Sequence, residues 1–341
     1  MVEHGPWRPV SSRTSATGLV SFSPVRIPFR LPSVRTRAFD VVGFGLNSID
    51  LLNVVAEYPP PGSTQRLQRV ARLPGGQVAT AMVTCARLGW SARYIGNFGG
   101  DELGELSRRS LAAEGVDLSA ARTVDDATNQ FAVILVDARS GERTVLWDRH
   151  PGLTIERADV PKDAVTSGRI LIVDCHETAA ATQAARYGRD SGVRTIADVH
   201  QVRPGILDLL REIDAIIAAP SFPTALTGYD APGRALEAVA RESAAPIVCV
   251  TLGSEGTLTR CGGREIRTPA FPVDCVDSTG AADAFRGAFA AACLRAPDGD
   301  VEEALSYANA VAALNCRALG AQDALPRPDE VERLLAARSH M

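Results

Sequence analysis

The stretch Asp277-Ser278-Thr279-Gly280-Ala281-Ala282-Asp283-Ala284-Phe285 joins an apolar run that ends at Val276 to a helical pattern over residues 283–294. Its small residues let the free N–H groups of a helix N-terminus come close to an anion, and the helix dipole adds positive potential there. Asp283 lies in the first helical turn, where a carboxylate can take a proton from an attacking hydroxyl. The stretch therefore predicts an anion site with an adjacent base. A glycine turn followed by an acid that complements the helix dipole is the alternative.

Around this loop, apolar runs alternate with amphipathic stretches. Apolar runs of this length, separated by helical patterns, are typical of a parallel sheet that helices cover on both faces. We therefore predict an α/β, doubly wound fold with a mainly parallel sheet, in which Phe285 and Phe289 face the core. The predicted strands comprise residues 40–45, 92–96, 170–174, 195–199, 215–219 and 247–251, and the first two predicted helices comprise residues 79–88 and 103–114.

Two segments, residues 51–73 and 129–149, interrupt the alternation. The second has two strand patterns on either side of a turn at residues 137–141, which predicts a β-hairpin, and the first segment can add strands beside it. We expect these segments to form a small β-sheet lid that covers a ligand. The compact domain is predicted to span residues 39–336. Residues 1–38, rich in Arg, Ser, Thr and Pro, are expected to be a disordered or mis-annotated extension, with a transit peptide as an alternative.

Composition restricts the class of function. The 341 residues are 45% hydrophobic and carry a formal net charge of −4, so there is no basic field to attract nucleic acid or an anionic membrane. No apolar run reaches the roughly 18 residues that cross a bilayer. The seven cysteines include no Cys-x-x-Cys pair, which favours buried, reduced thiols and a cytoplasmic location. We therefore expect the partners to be small molecules.

Three motifs carry a resemblance to a known family. The stretch at residues 277–285 resembles the Asp-Thr-x-Gly-Ala-Gly-Asp-x-Phe signature of the ribokinase-like carbohydrate kinases, also called the PfkB family. Gly75-Gly76-Gln77, followed by Arg87-Leu88-Gly89 and Gly99-Gly100-Asp101, resembles the family's second hallmark. Residues 251–256 resemble its ATP-contacting segment. The motifs stand in the family's order, and the resemblance implies an ATP-dependent sugar kinase, a phosphotransferase with an alcohol group as acceptor.

The resemblance also implies a role for each matching residue. Asp283 would be the catalytic base for in-line transfer of the γ-phosphate of ATP, with Mg²⁺ as cofactor. The family's anion-hole amides correspond to Gly280, Ala281 and Ala282. Its sugar-contacting positions correspond to Asp50, Gly75, Gly76 and Gln77, and its nucleotide-contacting positions to Thr251, Gly253 and Gly256. Asp277 and Thr279 match a monovalent cation site, which implies K⁺, although Asp277 as a simple loop cap is the alternative.

The chain also departs from the family's pattern. Many members have Gly where this chain has Ala282, and the Asn-x-x-Glu motif that organises magnesium is absent at residues 219–222. Ketohexokinase-like members also lack that motif, and residues 141–144, 197–200 and 226–228 resemble this branch, which includes sulfofructose kinase-like members. His176 and His200 follow predicted strands at the edge where open α/β sheets bind ligands. They are candidates for contact with substrate or phosphate, with ordinary loop histidines as the alternative.

Several functions stay open at this point. The acceptor is expected to be a ketose or a ribose-like sugar, with a nucleoside kinase and a catalytically silent sugar or nucleotide sensor of the same fold as alternatives. Gly43-Phe44-Gly45 suggests a dinucleotide oxidoreductase, but Ser48 stands where that motif has its third glycine. Exposed lid strands favour a homodimer, with a monomer as the alternative.

Overall fold

The computed structural model describes residues 24–139 and 143–338. The strands are β1 (Phe39–Phe44), β2 (Ser48–Val55), β3 (Arg69–Gly75), β4 (Ala92–Ile95), β5 (Asn97–Gly99), β6 (Arg122–Val124), β7 (Phe131–Asp137), β8 (Arg143–Asp148), β9 (Gly168–Asp174), β10 (Arg194–Val199), β11 (Ala215–Ala218), β12 (Ile247–Thr251), β13 (Thr257–Cys261) and β14 (Arg264–Thr268). The helices are α1 (Gln77–Arg87), α2 (Glu102–Ala113), α3 (Lys162–Val165), α4 (Thr178–Asp190), α5 (Ile206–Leu210), α6 (Phe222–Thr227), α7 (Pro232–Ser243), α8 (Ala281–Arg295), α9 (Val301–Asn315) and α10 (Pro328–Arg338). None of these described helices is long and apolar enough to cross a membrane.

The predicted doubly wound fold is confirmed. The main sheet has the strand order β14-β13-β12-β11-β10-β9-β1-β4. Among the described residues, six neighbouring strands run parallel, namely β12, β11, β10, β9, β1 and β4, while β13 and β14 add an antiparallel edge. Successive residues of a strand point to opposite faces, so Ile170 and Ile172 of β9 pack with α1, α8 and α9, whereas Leu171 and Val173 pack with α4 and α7. Phe285 of α8 is buried in the first of these layers, as expected. Five of the seven cysteines are also buried: Cys85, Cys175, Cys249, Cys261 and Cys293.

A second sheet forms the lid, which we define as β2, β3, β7 and β8 in the order β3-β2-β7-β8. The predicted hairpin is present as the antiparallel pair β7 and β8, and its turn, residues 140–142, lies outside the described residues. The first lid segment is longer than residues 51–73, because Ser48 pairs with Gly75 and extends the ladder between β2 and β3 at that end. Asp50 therefore lies within a lid strand and not directly after the first strand of the main sheet.

The N-terminal boundary differs from the prediction. Residues 24–38 were assigned to a disordered or mis-annotated extension, yet in the structure they lie against the domain. Ile27 and Phe29 are buried, the Ile27 amide donates to the Gly299 carbonyl over 2.9 Å, and Arg169 Nε donates to the Pro32 carbonyl over 3.0 Å. Two apolar side chains among prolines produce no periodic pattern, so this contact could not be predicted from the sequence. Residues 1–23 lie outside the described residues.

Candidate active site

The anion loop, residues 277–280, leads directly into α8. Gly280 has φ 74°, and a Cβ added there would lie 2.6 Å from Ala321 Cα, so the backbone and the space both require glycine. The helix begins at Ala281, two residues before the predicted start, and this makes Asp283 its third residue. The N–H groups of a first helical turn have no intrahelical acceptor. The loop and helix start therefore have the local geometry of an anion site with a carboxylate beside it.

Asp277 fixes the shape of the anion loop. Its Oδ1 accepts hydrogen bonds from Thr279 N at 2.9 Å and from Thr279 Oγ1 at 2.7 Å, and its Oδ2 accepts one from Gly320 N at 2.9 Å. The preceding amide of Val276 donates to the Cys316 carbonyl over 2.8 Å. Asp277 thus caps the loop and ties it to the segment that follows α9.

Arg143, the first residue of β8, brings the lid to the anion loop. Its Nη1 donates to Ser278 Oγ over 2.6 Å and lies 3.9 Å from Asp277 Oδ1. Sequence reasoning assigned no role to this residue. A basic side chain beside the turn of a predicted lid hairpin was the available signal, but the pairing with residues more than a hundred positions later is visible only in the fold.

The predicted sugar-binding residues come together where the lid meets α1. Asp50 is buried, Ser48 Oγ donates to its Oδ1 over 3.3 Å, and a Cβ added at Gly75 would lie 2.6 Å from its Oδ2. Gly76 has φ 93°, a conformation that favours glycine, and it precedes Gln77, the first residue of α1. Burial raises the pKa of Asp50 to about 6, and the negative charges of Asp283 and Asp277 add to the rise.

A chain of polar contacts joins Gln77 to Asp283. Gln77 Nε2 donates to Asp198 Oδ2 over 2.8 Å, Asp198 Oδ1 lies 2.6 Å from Arg286 Nη2, and Arg286 Nη1 donates to Asp283 Oδ1 over 3.0 Å. Burial raises the pKa of both carboxyl groups, and the Arg286 guanidinium opposes that rise. Asp198 and Arg286 were not predicted as site residues. An arginine one turn after the predicted base, on an otherwise apolar helix, was the signal that could have found this pair.

His176 and His200 lie beside these contacts. The His200 Nδ1 atom is 3.2 Å from Gln77 Nε2, and the two imidazole rings are 5.0 Å apart between centroids. The Trp147 ring of β8 packs edge-on against His176 with centroids 6.3 Å apart. Burial lowers the pKa of each histidine to about 4, so both rings are neutral at pH 7. The structure thus brings His200 into contact with a predicted sugar-binding residue, and His176 lies next to His200.

The predicted nucleotide residues share one turn. Thr251 ends β12, Gly253 opens a short 3₁₀ turn, and Gly256 precedes β13. The turn closes through a 2.8 Å hydrogen bond from Leu252 N to the Gly256 carbonyl. Because β10, β11 and β12 are neighbouring parallel strands, this turn lies at the same sheet edge as Asp198. Within residues 24–139 and 143–338, no group of three or more His, Cys, Asp and Glu residues could hold a metal ion.

We expect Ala282→Gly to change kcat by less than about threefold and to lower the free energy of unfolding by about 0.5–1 kcal/mol. Ala282 is the second residue of α8, where a helical backbone accommodates a methyl group and glycine only adds chain entropy. Steady-state ADP release and urea unfolding measure the two quantities. A tenfold or larger rise in kcat would show that the Ala282 methyl group obstructs the phosphate.

Fold and site together define a phosphotransferase of the ribokinase-like class. The sequence profile of the pfkB family carbohydrate kinases matches residues 38–328. The chain is 30% identical over 287 residues to aminoimidazole riboside kinase of Salmonella typhimurium, covering 79% of this chain and 89% of that protein. It is 27% identical over 323 residues to the probable fructokinase-5 of Arabidopsis thaliana, covering 88% and 98%.

A solved structure agrees with these relatives. Arabidopsis thaliana ribokinase, complexed with ribose and ATP, superposes with a TM-score of 0.76 at 25% identity, covering 87% of this chain and 99% of that one. The chain therefore belongs to the pfkB family of carbohydrate kinases. It is a sugar or nucleoside kinase, a phosphotransferase with an alcohol group as acceptor.

Proposed function

We propose that the protein transfers the γ-phosphate of ATP to a hydroxyl of a small sugar, with Asp283 as the base. The observation that carries the proposal is the position of Asp283, the third residue of α8, between the anion loop and the contact chain that leads to Gln77. A carboxylate at this place can take the hydroxyl proton while the loop holds the phosphoryl group. Positioning and electrostatic stabilisation supply most of the catalysis in such transfers.

Each group in the site has a task in this reaction. Asp50 and Gln77 bind and orient the sugar, and Asp283 accepts the proton of the attacking hydroxyl. The amides of Gly280, Ala281 and Ala282 stabilise negative charge on the phosphoryl oxygens. Mg²⁺, when bound, neutralises charge on the phosphates of ATP. Since the described residues offer no metal-binding cluster, we propose that the nucleotide and water hold this ion.

The turn that contains Thr251, Gly253 and Gly256 is our proposed nucleotide site. It lies at the carboxyl edge of the parallel sheet, where open α/β folds bind their ligands. Its backbone amides and small residues allow close approach of ribose and phosphate. The similarity in fold to a ribokinase complexed with ribose and ATP supports the binding of ATP by this chain.

We propose a ketose or a ribose-like sugar as the acceptor. Similarity to a probable fructokinase and to a ribokinase supports this class, as do the segments that resemble the ketohexokinase-like branch. A nucleoside is the second candidate, because the relative with 30% identity is an aminoimidazole riboside kinase. The Trp147 ring beside His176 provides an aromatic surface at the lid for a base.

A single screen tests the function. ADP release is followed with ATP and Mg²⁺ and one acceptor at a time: D-fructose, D-ribose, 5-aminoimidazole riboside and inosine. Turnover with a sugar supports the proposal, turnover with a riboside alone supports the nucleoside alternative, and ATP or sugar binding without turnover would support the silent sensor. Each reaction is run in K⁺ and in Na⁺. Selective activation by K⁺ would support a cation site at Asp277 and Thr279, whereas equal rates would leave Asp277 as the loop cap that its three hydrogen bonds describe.

We expect Arg143→Ala to lower kcat about tenfold, because the lid loses the guanidinium that contacts Ser278 and adds positive charge at the anion loop. Steady-state kinetics with the best acceptor of the screen measure the effect. The matched control is Arg139→Ala on the same hairpin, since Arg139 pairs with Glu57 away from the loop and should leave kcat within about twofold. Equal losses in the two variants would assign Arg143 to lid stability alone.

We also propose that lid strands join two copies of the chain. Val70, Val145, Leu146 and Trp147 are exposed on β3 and β8, the two edge strands of the lid, and an exposed strand edge can pair with another chain. Sedimentation velocity at micromolar concentration tests this. Sedimentation as a monomer would contradict the proposal, and the lid would then shield the same side chains when the sugar binds.

A further inference from the structure

Arg286 is a buried charged residue in the site. It lies one turn after Asp283 on α8, its side chain is 3% exposed, and it contacts the carboxylates of both Asp283 and Asp198. A buried guanidinium between the buried carboxylate of Asp198 and the half-buried carboxylate of Asp283 leaves one excess negative charge in the group. Uptake of a proton by Asp283 removes that charge, and neutral groups are less costly to bury.

The contacts of Arg286 also fix its position. Asp198, 1% exposed, holds the second nitrogen of the guanidinium and is itself held by Gln77 at the start of α1. Helices α1 and α8 pack closely, as the 3.3 Å contact from Cys85 Sγ to the Gly287 carbonyl shows. The Arg286 Nε and Gln77 Oε1 atoms are buried and have no hydrogen-bond partner among the described residues.

We propose that Arg286 is a positioning residue: held by Asp198, which Gln77 contacts in turn, it orients the Asp283 carboxylate and keeps it ionised for proton transfer. Gln77 Nε2 donates to Asp198 Oδ2 over 2.8 Å and so supports Asp198 from the start of α1. This deepens the proposed kinase function and rests on it. It explains why this chain keeps an arginine on a helix face that otherwise packs with Ala and Phe side chains.

The charge of Arg286 sets the expected direction of a pH effect. The guanidinium lowers the pKa of Asp283 against the opposing effect of burial, so its loss should raise that pKa. Removal of the Asp198 charge should have the opposite effect. The charged groups that face Asp283 come from its own helix, from the ends of β9 and β10 and from the lid: Arg286, Asp174, Asp198, Asp50 and Arg143. All of them except the mutated residue stay in place in each variant.

The test compares Arg286→Met, Arg286→Lys and Asp198→Asn. The pH profile of kcat/KM is measured with the best acceptor among D-fructose, D-ribose and 5-aminoimidazole riboside. Arg286→Met should move the acidic limb of this profile to higher pH by about one unit or more, and it should lower kcat about tenfold. Arg286→Lys keeps the charge and should restore at least half of the shift. Asp198→Asn should move the acidic limb to lower pH, and this variant replaces Arg286→Met in the test if Arg286→Met does not fold. Arg169→Met, which removes a buried arginine paired with Asp40 outside the site, is the control and should leave the limb unmoved.

A direct titration separates this inference from the kinase function. The Asp283 carboxyl is followed by ¹³C NMR in the full chain without acceptor, with the signal assigned by its loss in Asp283→Asn. If no acceptor supports turnover but the Asp283 pKa moves as expected, the proposed reaction fails and the positioning by Arg286 stands. If Arg286→Met, or Asp198→Asn in its place, leaves that pKa within about 0.3 unit of the original chain, the inference is overturned and Arg286 is only a structural ion pair.

Discussion

Asp283→Asn should lower kcat about 10³-fold while leaving the dissociation constant of ATP and Mg²⁺ within about threefold, because an amide of the same shape cannot accept the proton of the sugar hydroxyl. The substitution keeps an oxygen that can accept from Arg286 Nη1, which lies 3.0 Å from the Asp283 carboxylate, so the helix start should keep its conformation. Coupled ADP release gives kcat, and isothermal titration calorimetry gives the nucleotide affinity.

The matched control for this variant is Asp329→Asn. Asp329 also lies in the first turn of a helix, α10, where it pairs with Arg333, but it is outside the proposed site. If Asp283 only complements the helix dipole, the two variants should behave alike, with a small loss of stability and nearly unchanged kcat. A kcat of Asp283→Asn within tenfold of the original chain would exclude Asp283 as the base.

Local patterns predicted most of the fold. The buried strands β9 to β12 are short apolar runs between helices, and their alternation gives the parallel sheet without knowledge of any tertiary contact. The boundary of the lid was harder to predict. Whether Ser48 and Asp50 belong to a strand depends on pairing with residues 73–75, a partner that no local pattern reveals. The same holds for Ile27 and Phe29, whose burial depends on a surface built from the other end of the chain.

The candidate site divides in the same way. Asp283 and Gly280 were predicted as site residues because a small-residue loop and a helix start are adjacent in sequence. Asp50, Gly76 and Gln77 came from a resemblance to a family, and the fold brings them together at the junction of the lid and α1. The remaining contacts join segments that are far apart in the chain: Arg143 with Ser278, and Asp198 with Arg286. Charged residues of this kind look like ordinary surface residues until the fold shows that they are buried or paired.

We expect Asp50→Asn to lower kcat/KM for the acceptor about 10²-fold, mainly through KM, while the ATP affinity stays unchanged. A carboxylate makes charge-assisted hydrogen bonds to sugar hydroxyls that an amide replaces only in part. Because the Asp50 pKa is raised to about 6, acceptor binding by the original chain should also weaken as the pH falls through 6, and this dependence should be absent from the variant. Acceptor saturation curves from pH 5 to 8 measure both effects. An unchanged acceptor KM would remove Asp50 from the sugar site.

The same substitution should make the protein more stable at neutral pH. Burial raises the Asp50 pKa from 3.8 in a model peptide to about 6, so the folded state binds this proton more tightly than the unfolded chain does. The cost of the buried charge is absent below about pH 4, grows as the pH rises towards 6 and is complete above it, where Asp50→Asn removes up to about 3 kcal/mol. Urea unfolding at pH 4 and pH 8 tests the sign: the variant should gain stability at pH 8 and gain little or none at pH 4. Equal effects at the two pH values would mean that Asp50 is not a destabilising buried carboxylate kept for acceptor binding.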